Sequence, residues 1–239
     1  QSGEEDCIMK RKYLILASIL FLLLGCSKGG LESSSSSAKN EERLIHVHYD
    51  YGFSSDFESV IDKSDLIVTG YYGDVVSKWN QSRDVNNSDL ESKDFYTEGL
   101  IYNFTIEEVL YSSDDFNEKT IPVNLRHFER IDVTLDDGSI EYVDHLDPYY
   151  IEPSTTQKYV LLLHYHPQFD LYFGAYEPFQ FTVHEDELTV TSNLFNENQS
   201  NVTKHKNITV QGPSFVGIED QFSGTKIEEI ERLIKELKK

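Results

Sequence analysis

Few side chains in this 239-residue chain are of types and spacings that could do chemistry. Two His-x-His pairs, His46/His48 and His164/His166, have the spacing that puts two imidazoles on one side of a strand, where they could grip a transition metal together. No third ligand follows at a diagnostic distance, and Pro167 places His166 at a strand end. The alternative for these four residues is exposed histidines flanking a core strand. Carboxylates cluster at Asp114-Asp115, Asp136-Asp137 and Glu185-Asp186-Glu187, all in expected turns, where acids serve turn geometry. None follows the EF-hand loop pattern. A Gly-x-Ser-x-Gly elbow, a Walker A run and a dinucleotide fingerprint are all missing. Tyr71-Tyr72, Tyr149-Tyr150 and Tyr172-Phe173 could line a sugar or peptide groove, or pack the core and strand rims. These residues predict no cofactor and no catalytic machinery.

The most specific signal lies near the N-terminus. Lys10, Arg11 and Lys12 precede an apolar run from Tyr13 to Leu24, which ends in Gly25-Cys26-Ser27. The run is about 12 residues, short of the roughly 20 needed to span a bilayer core, so a signal peptide is expected rather than a membrane helix. Leu23-Leu24-Gly25-Cys26 resembles the lipobox of bacterial lipoprotein precursors, although that family more often has a small residue where Leu24 stands. The resemblance implies a diacylglycerol on the Cys26 thiol and cleavage before it. Residues 1–8 precede Met9 and are read as an upstream or non-native segment, taking Cys7 with them. A body without a disulfide must be held by its core.

The formal charge is -21. Removing the signal region takes three acids (Glu4, Glu5, Asp6) and three bases (Lys10, Arg11, Lys12), so the exported part keeps all of it. That excess repels phosphate backbones and excludes nucleic acid as an expected partner. It also attracts cations and basic partners. Fifteen Tyr and fourteen Phe supply apolar area that a disordered chain lacks.

The elements that must position the candidates are mostly strands. Residues 26–43, from the lipidated Cys26 through the tract Ser33 to Ser37, form an expected tether with a typical reach of about 20 Å. A single β-rich extracytoplasmic domain is expected over 44–239. Leu44 to Tyr49 begins it, and a brief helix capped by Ser54-Ser55-Asp56 follows. Asp65 to Ser77 reads as a strand bent at Gly70 and Gly73, and Asn80 to Lys93 as a mobile polar loop. Alternation at Tyr102, Phe104 and Ile106 marks the next strand, with a bulge at Glu107-Glu108. Further strands are expected at Ile121–Phe128, Ile131–Leu135 and Ile140–Val143, with Tyr159 to Tyr165 the most buried. Phe179–His184 and Glu187–Thr191 should form a hairpin, and Asn193–Lys206 a polar loop. Thr225 and Glu228 predict a capping box on a closing helix whose apolar face is Ile227, Ile230, Leu233, Ile234 and Leu237, packed on the sheet.

This pattern predicts a mainly β fold, a small barrel or sandwich with an OB-like barrel among the forms, and a C-terminal amphipathic α-helix. Ser64–Gly70, Phe104–Leu110 and Tyr159–Leu163 with Gly174 downstream resemble the barrel pattern of Gram-positive envelope lipoproteins, and more loosely netrin-type OB barrels. The leading functional expectation is a non-enzymatic binding module. It would be lipid-anchored at the extracytoplasmic face of the cell membrane and would engage an envelope protein or cell-wall component. The alternatives are a cell-wall or polymer hydrolase using dispersed carboxylates, and a metal-binding envelope protein. In a bacterial host, labelled palmitate should enter the wild-type chain and fail to enter Cys26→Ser. Equal labelling of both would defeat the lipobox reading.

Overall fold

The run Tyr159-Val160-Leu161-Leu162-Leu163 is apolar at every position and buried at every position, so both of its faces must be covered. The computed structural model describes residues 42–49, 52–195, 201–213 and 217–238 and shows how this is done. Its elements are β1 Arg43–His46, α1 Phe57–Lys63, β2 Leu66–Asn80, β3 Tyr96–Ser112, β4 Thr120–Thr134, β5 Ile140–Leu146, β6 Tyr159–His166, β7 Leu171–Gly174, β8 Gln180–His184, β9 Glu187–Val190, β10 Val202–His205, β11 Ile208–Gln211 and α2 Ile227–Leu237. Cys26, the expected signal region and residues 26–41 of the expected tether lie outside the described residues, and Arg43, expected in the tether, opens β1. No helix among the described residues is long and apolar enough to cross a membrane.

The fold is mainly β. Five strands form a barrel-like ring in the order β2-β3-β4-β7-β6, with β6 pairing back to β2 from Leu66↔Leu163 to Gly70↔Tyr159. The ring is barrel-like and only partly closed, since β4 and β7 meet at a single pair. Antiparallel ladders make every contact in the ring except β4–β7, a single parallel bridge at Val123↔Tyr172. Tyr159, Leu161 and Leu163 point into the ring, where they meet Val68, Tyr72, Phe104, Ile121 and Val123. At the centre Tyr72 meets the rings of Tyr102, Phe104 and Tyr159 edge-on, at 5.1 to 5.5 Å, geometry that favours the aromatic quadrupole. Val160 and Leu162 point outward into a second core with Phe57, Ile61, Phe181, Phe222 and Ile230, so α1 and α2 cover that face.

The ring closes through bulges. Between β2 and β3 the register slips at Ile67/Val68 and again at Thr69/Gly70, which leaves Leu110 and Glu107 without Cα partners on β2. At Gly70 an added Cβ would collide with the carbonyl oxygen of Thr105, so only glycine lets the two strands approach here. Asn80, 7% exposed, ties down the base of the loop that follows. It donates to the carbonyls of Ser92 and Phe95, and accepts from the N–H groups of Ser82 and Thr97.

Three local expectations are corrected. Ile121–Phe128 and Ile131–Leu135 belong to one strand, β4, because Glu129 and Arg130 stay in register with Thr97 and Tyr96 on one side and with His145 and Asp144 on the other. The expected loop Asn193–Lys206 contains β10, which pairs with β11, and β11 pairs in parallel with β1; residues 196–200 lie outside the described residues. The capping box does not form. Lys226 is the N-cap, and the β8–β9 hairpin takes over the work, Leu188 N donating to Thr225 O and Ile227 N to Asp186 O. The apolar face of α2 packs at Ile230 and Ile234, which are buried, with Ile227 and Leu233 partly buried beside them, while Leu237, expected on that face, stays exposed.

A smaller core joins the far end of β4 and β5 to the three-stranded sheet through Val133, Val143, Ile208 and Val210. Beside it, His145 is 1% exposed. Its Nδ1 meets Thr203 Oγ1 at 2.8 Å, and its Nε2 has no hydrogen-bond partner among the described residues. Burial pushes its pKa below the ordinary value. A depressed folded-state pKa contributes stability that is complete above the ordinary value near 6.5 and is lost as pH falls through the lowered one. Thermal melts at pH 7.5 and pH 5 should therefore show a larger acid loss for wild type than for His145→Leu. Parallel losses would show that His145 does not titrate on unfolding.

Candidate functional site

Beyond the bridge at Val123↔Tyr172, β4 and β7 part. Ala175 N donates to Leu162 O, which keeps the continuation of β7 against β6 and away from β4. The gap is a cavity of about 450 Å³ between Asn124–Arg126 on one side and Phe173–Glu177 on the other. Tyr149 and Tyr150 form part of its wall.

A tight turn supplies those two tyrosines. Asp147-Pro148 has an acid at the first turn position and proline at the second, where its fixed φ is already correct. Tyr150 N donates to Asp147 O at 3.1 Å, and Tyr149 N to Asp147 Oδ1 at 2.9 Å. The other carboxylate oxygen lies 3.0 Å from Arg126 Nε, and Arg126 Nη2 reaches Glu129 Oε2 at 3.0 Å. Behind the turn, the hydroxyls of Tyr150 and Tyr102 are 3.0 Å apart, and the His127 ring lies 4.7 Å from the Tyr150 ring. His127 Nδ1 is 2.7 Å from Glu98 Oε1, which also accepts from Lys78 Nζ at 3.2 Å. Burial pushes the Glu98 carboxyl upward, but hydrogen bonds from His127 and Lys78 hold it below the ordinary range.

The polar wall is an amide relay. Trp79 Nε1 donates to Asn124 Oδ1 at 2.7 Å, and Asn124 Nδ2 to Gln81 Oε1 at 3.2 Å. Gly99 faces the relay, and a Cβ there would strike Asn124 Oδ1 and the Trp79 indole nitrogen. Gln81 Nε2 is shielded and has no hydrogen-bond partner among the described residues, a donor left unspent in the cavity wall.

Glu177 is an acid in an unusual environment. Its backbone is clamped: Glu177 N donates to Gly52 O, and Glu177 O accepts from Ser54 N. The half-buried side chain lines the cavity. Burial, then the nearby Asp147 carboxylate, push its pKa up to about 8, against a hydrogen bond with Ser192 that lowers it. At neutral pH it is mainly a carboxylic acid, able to donate a proton. Tyr149 is pushed up to about 12, first by burial and then by Glu177 and Asp147.

The histidines are placed on separate tasks. His46 and His48 are exposed, on β1 and just after it. His164 is exposed on β6 with Nδ1 2.7 Å from Asp65 Oδ2, an oxygen that also accepts from Tyr165 N. His166 ends the same strand with its ring stacked on Phe169 at 4.5 Å. Among the described residues no group of three or more His, Cys, Asp or Glu is placed to hold a metal ion. Of the aromatic pairs, Tyr149, Tyr150 and Phe173 reach the cavity, while Tyr72 belongs to the ring core and Tyr172 packs against it.

The sequence reading missed Glu177, Asp147, Arg126, Asn124 and Gln81. The available signals were Asp147-Pro148 just before a tyrosine pair, and a lone acid between Tyr176 and Pro178-Phe179. No family model matches this sequence, and neither a curated protein nor a solved structure matches the chain.

A folded-state pKa raised from 4.5 to about 8 contributes stability that is full below 4.5 and lost as pH rises through 8. Glu177→Gln removes that loss. It should raise Tm by about 3 °C or more at pH 8.5 and change it little at pH 4, as followed by circular dichroism. An equal shift at both pH values would mean that Glu177 ionises in the folded state as it does unfolded.

Proposed function

We propose that residues from about 44 onward form a non-enzymatic binding module, held by lipid on Cys26 at the outer face of a bacterial membrane, whose ligand seats in the cavity between β4 and β7. The observation that carries this reading is the open seam itself. Its cavity of about 450 Å³ falls within the roughly 300–1,000 Å³ of small-molecule sites, and it combines aromatic walls with a few convergent polar groups. The ring behind it is packed: Tyr102, Val123 and Leu125 are all buried. A partner reaching this site would be a small molecule or one projecting group of a larger envelope component.

One observation favours a second reading, a hydrolase. Glu177 retains its proton near neutral pH, as a general acid must. Turnover of a cell-wall polymer that Glu177→Gln abolishes would establish that reading and end the non-enzymatic one.

Ala175 lines the cavity, and Ala175→Trp should fill it. Screened by amide NMR at pH 7 against a set of small aromatic and polar fragments, the wild-type chain should show shifts concentrated at Asn124–Arg126 and Phe173–Glu177. Ala175→Trp should weaken those fragments by about 10-fold or more. Shifts elsewhere on the molecule, or none, would remove the cavity as the site.

A further inference from the structure

We propose that the seam cavity is selective for organic cations, with an alkylammonium or quaternary ammonium group seated among the rings of Phe173, Tyr149 and Tyr176 against the Glu177 carboxylate. This rests on the cavity being the binding site and goes further by assigning the charge of what it holds.

The charges on the wall do not cancel. Arg126 is the cation there, and it is matched by Asp147 at 3.0 Å and by Glu129 at 3.0 Å. Asp147 also accepts from Tyr149 N. Glu177 is the surplus acid: its carboxyl takes a hydrogen bond from Ser192, is repelled by Asp147, and has no cation acting on it among the described residues. A proton currently fills that place. An ammonium group can do the same and restore the neutrality that Glu177 loses on ionising, while an anionic ligand would add a further negative charge beside Asp147.

The surrounding rings suit the same class of ligand. An ammonium group gains from aromatic faces when it is taken out of water, and aromatic-lined cavities are the common solution for quaternary ammonium recognition. A chain with a formal charge of -21 also raises the local concentration of cations at its surface. Anions and nucleic acid are repelled by the same field.

The exchange of proton for cation makes binding pH-dependent. The groups facing Glu177 are Asp147, paired with Arg126, together with Tyr149, Tyr72 on β2 and Ser192. Tyr149 and Tyr72 are both pushed upward, Tyr149 to about 12, so they keep their protons between pH 6 and 9. Glu177 changes state within that interval.

The test is titration calorimetry on the full chain with three probes at pH 6 and pH 9. Choline has a charge that does not vary with pH, 3,3-dimethylbutan-1-ol is its uncharged isostere, and Nα-acetyl-lysine amide presents a lysine side chain. Choline should bind at least about 10-fold more tightly at pH 9 than at pH 6. At pH 9 it should outbind the alcohol by about 10-fold or more, and Glu177→Gln should erase the pH dependence and reduce the preference over the alcohol to what the rings alone supply. Lysine amide matching choline would point to a lysine-bearing chain as the natural source; choline binding alone would point to a free small cation. The alcohol binding as well as choline, or choline binding indifferent to pH and to Glu177→Gln, would overturn the assignment of charge. If the alcohol binds and Ala175→Trp removes it, the cavity survives and only the charge inference fails. If Ala175→Trp leaves choline binding intact, or no probe binds, the cavity itself is the wrong site.

Discussion

One strand has to be covered on both sides, and much of the architecture follows from that. β6 presents Tyr159, Leu161 and Leu163 to one core and Val160 and Leu162 to another. At roughly 25 cal/mol per Å² of apolar surface removed from water, leaving either face wet would cost several kcal/mol. Curling the sheet into a ring covers the inner face. The outer face requires α1, α2 and the β8–β9 hairpin, none of which contributes to the ring itself. The β2–β6 ladder fixes one flank of β6, whereas the other flank is shared by β8 at Tyr159–Leu161 and by the four-residue β7 at Leu163–His166. So short a strand reaches β4 at a single pair, and the cavity occupies the space left over.

The two-sided burial of β6 was legible because an unbroken apolar run permits no other arrangement. The bulges near Gly70 and Glu107 were legible as well, since a slip in alternation leaves a mark on the sequence. β7 and β11 were not legible: in segments of four residues the period is weak, and tertiary pairing decides the outcome. The break expected in β4 failed for a related reason: Glu129 and Arg130 look like loop residues but sit on a ladder whose outer face accepts charge. Thr225 and Glu228 match a capping box, yet backbone groups of a hairpin close in space but distant in sequence reached the helix end first.

The site divides in the same way. Tyr149 and Tyr150 could be read because an aromatic pair is conspicuous. Glu177 could not, since its character comes from its surroundings: an ordinary glutamate becomes a proton-holding acid when the fold withdraws water and places Asp147 nearby. The neighbours of the histidines come from elsewhere in the chain or from a turn, Asp65 beside His164 and Phe169 stacked on His166, and the His-x-His spacing carries neither.

The last residues described reach back to the first helix. Lys238 Nζ donates to the carbonyl oxygens of Asp62 and Ser64, across 176 and 174 residues, and so occupies acceptors at the end of α1. β1 likewise finds its neighbour only at β11, with Arg43 opposite Ile208. A chain that emerges N-terminus first therefore carries its opening strand and helix without these partners until residues 208–238 follow. Assembly has to wait for those distant residues, which prolongs the interval in which a chaperone or protease can act on the chain.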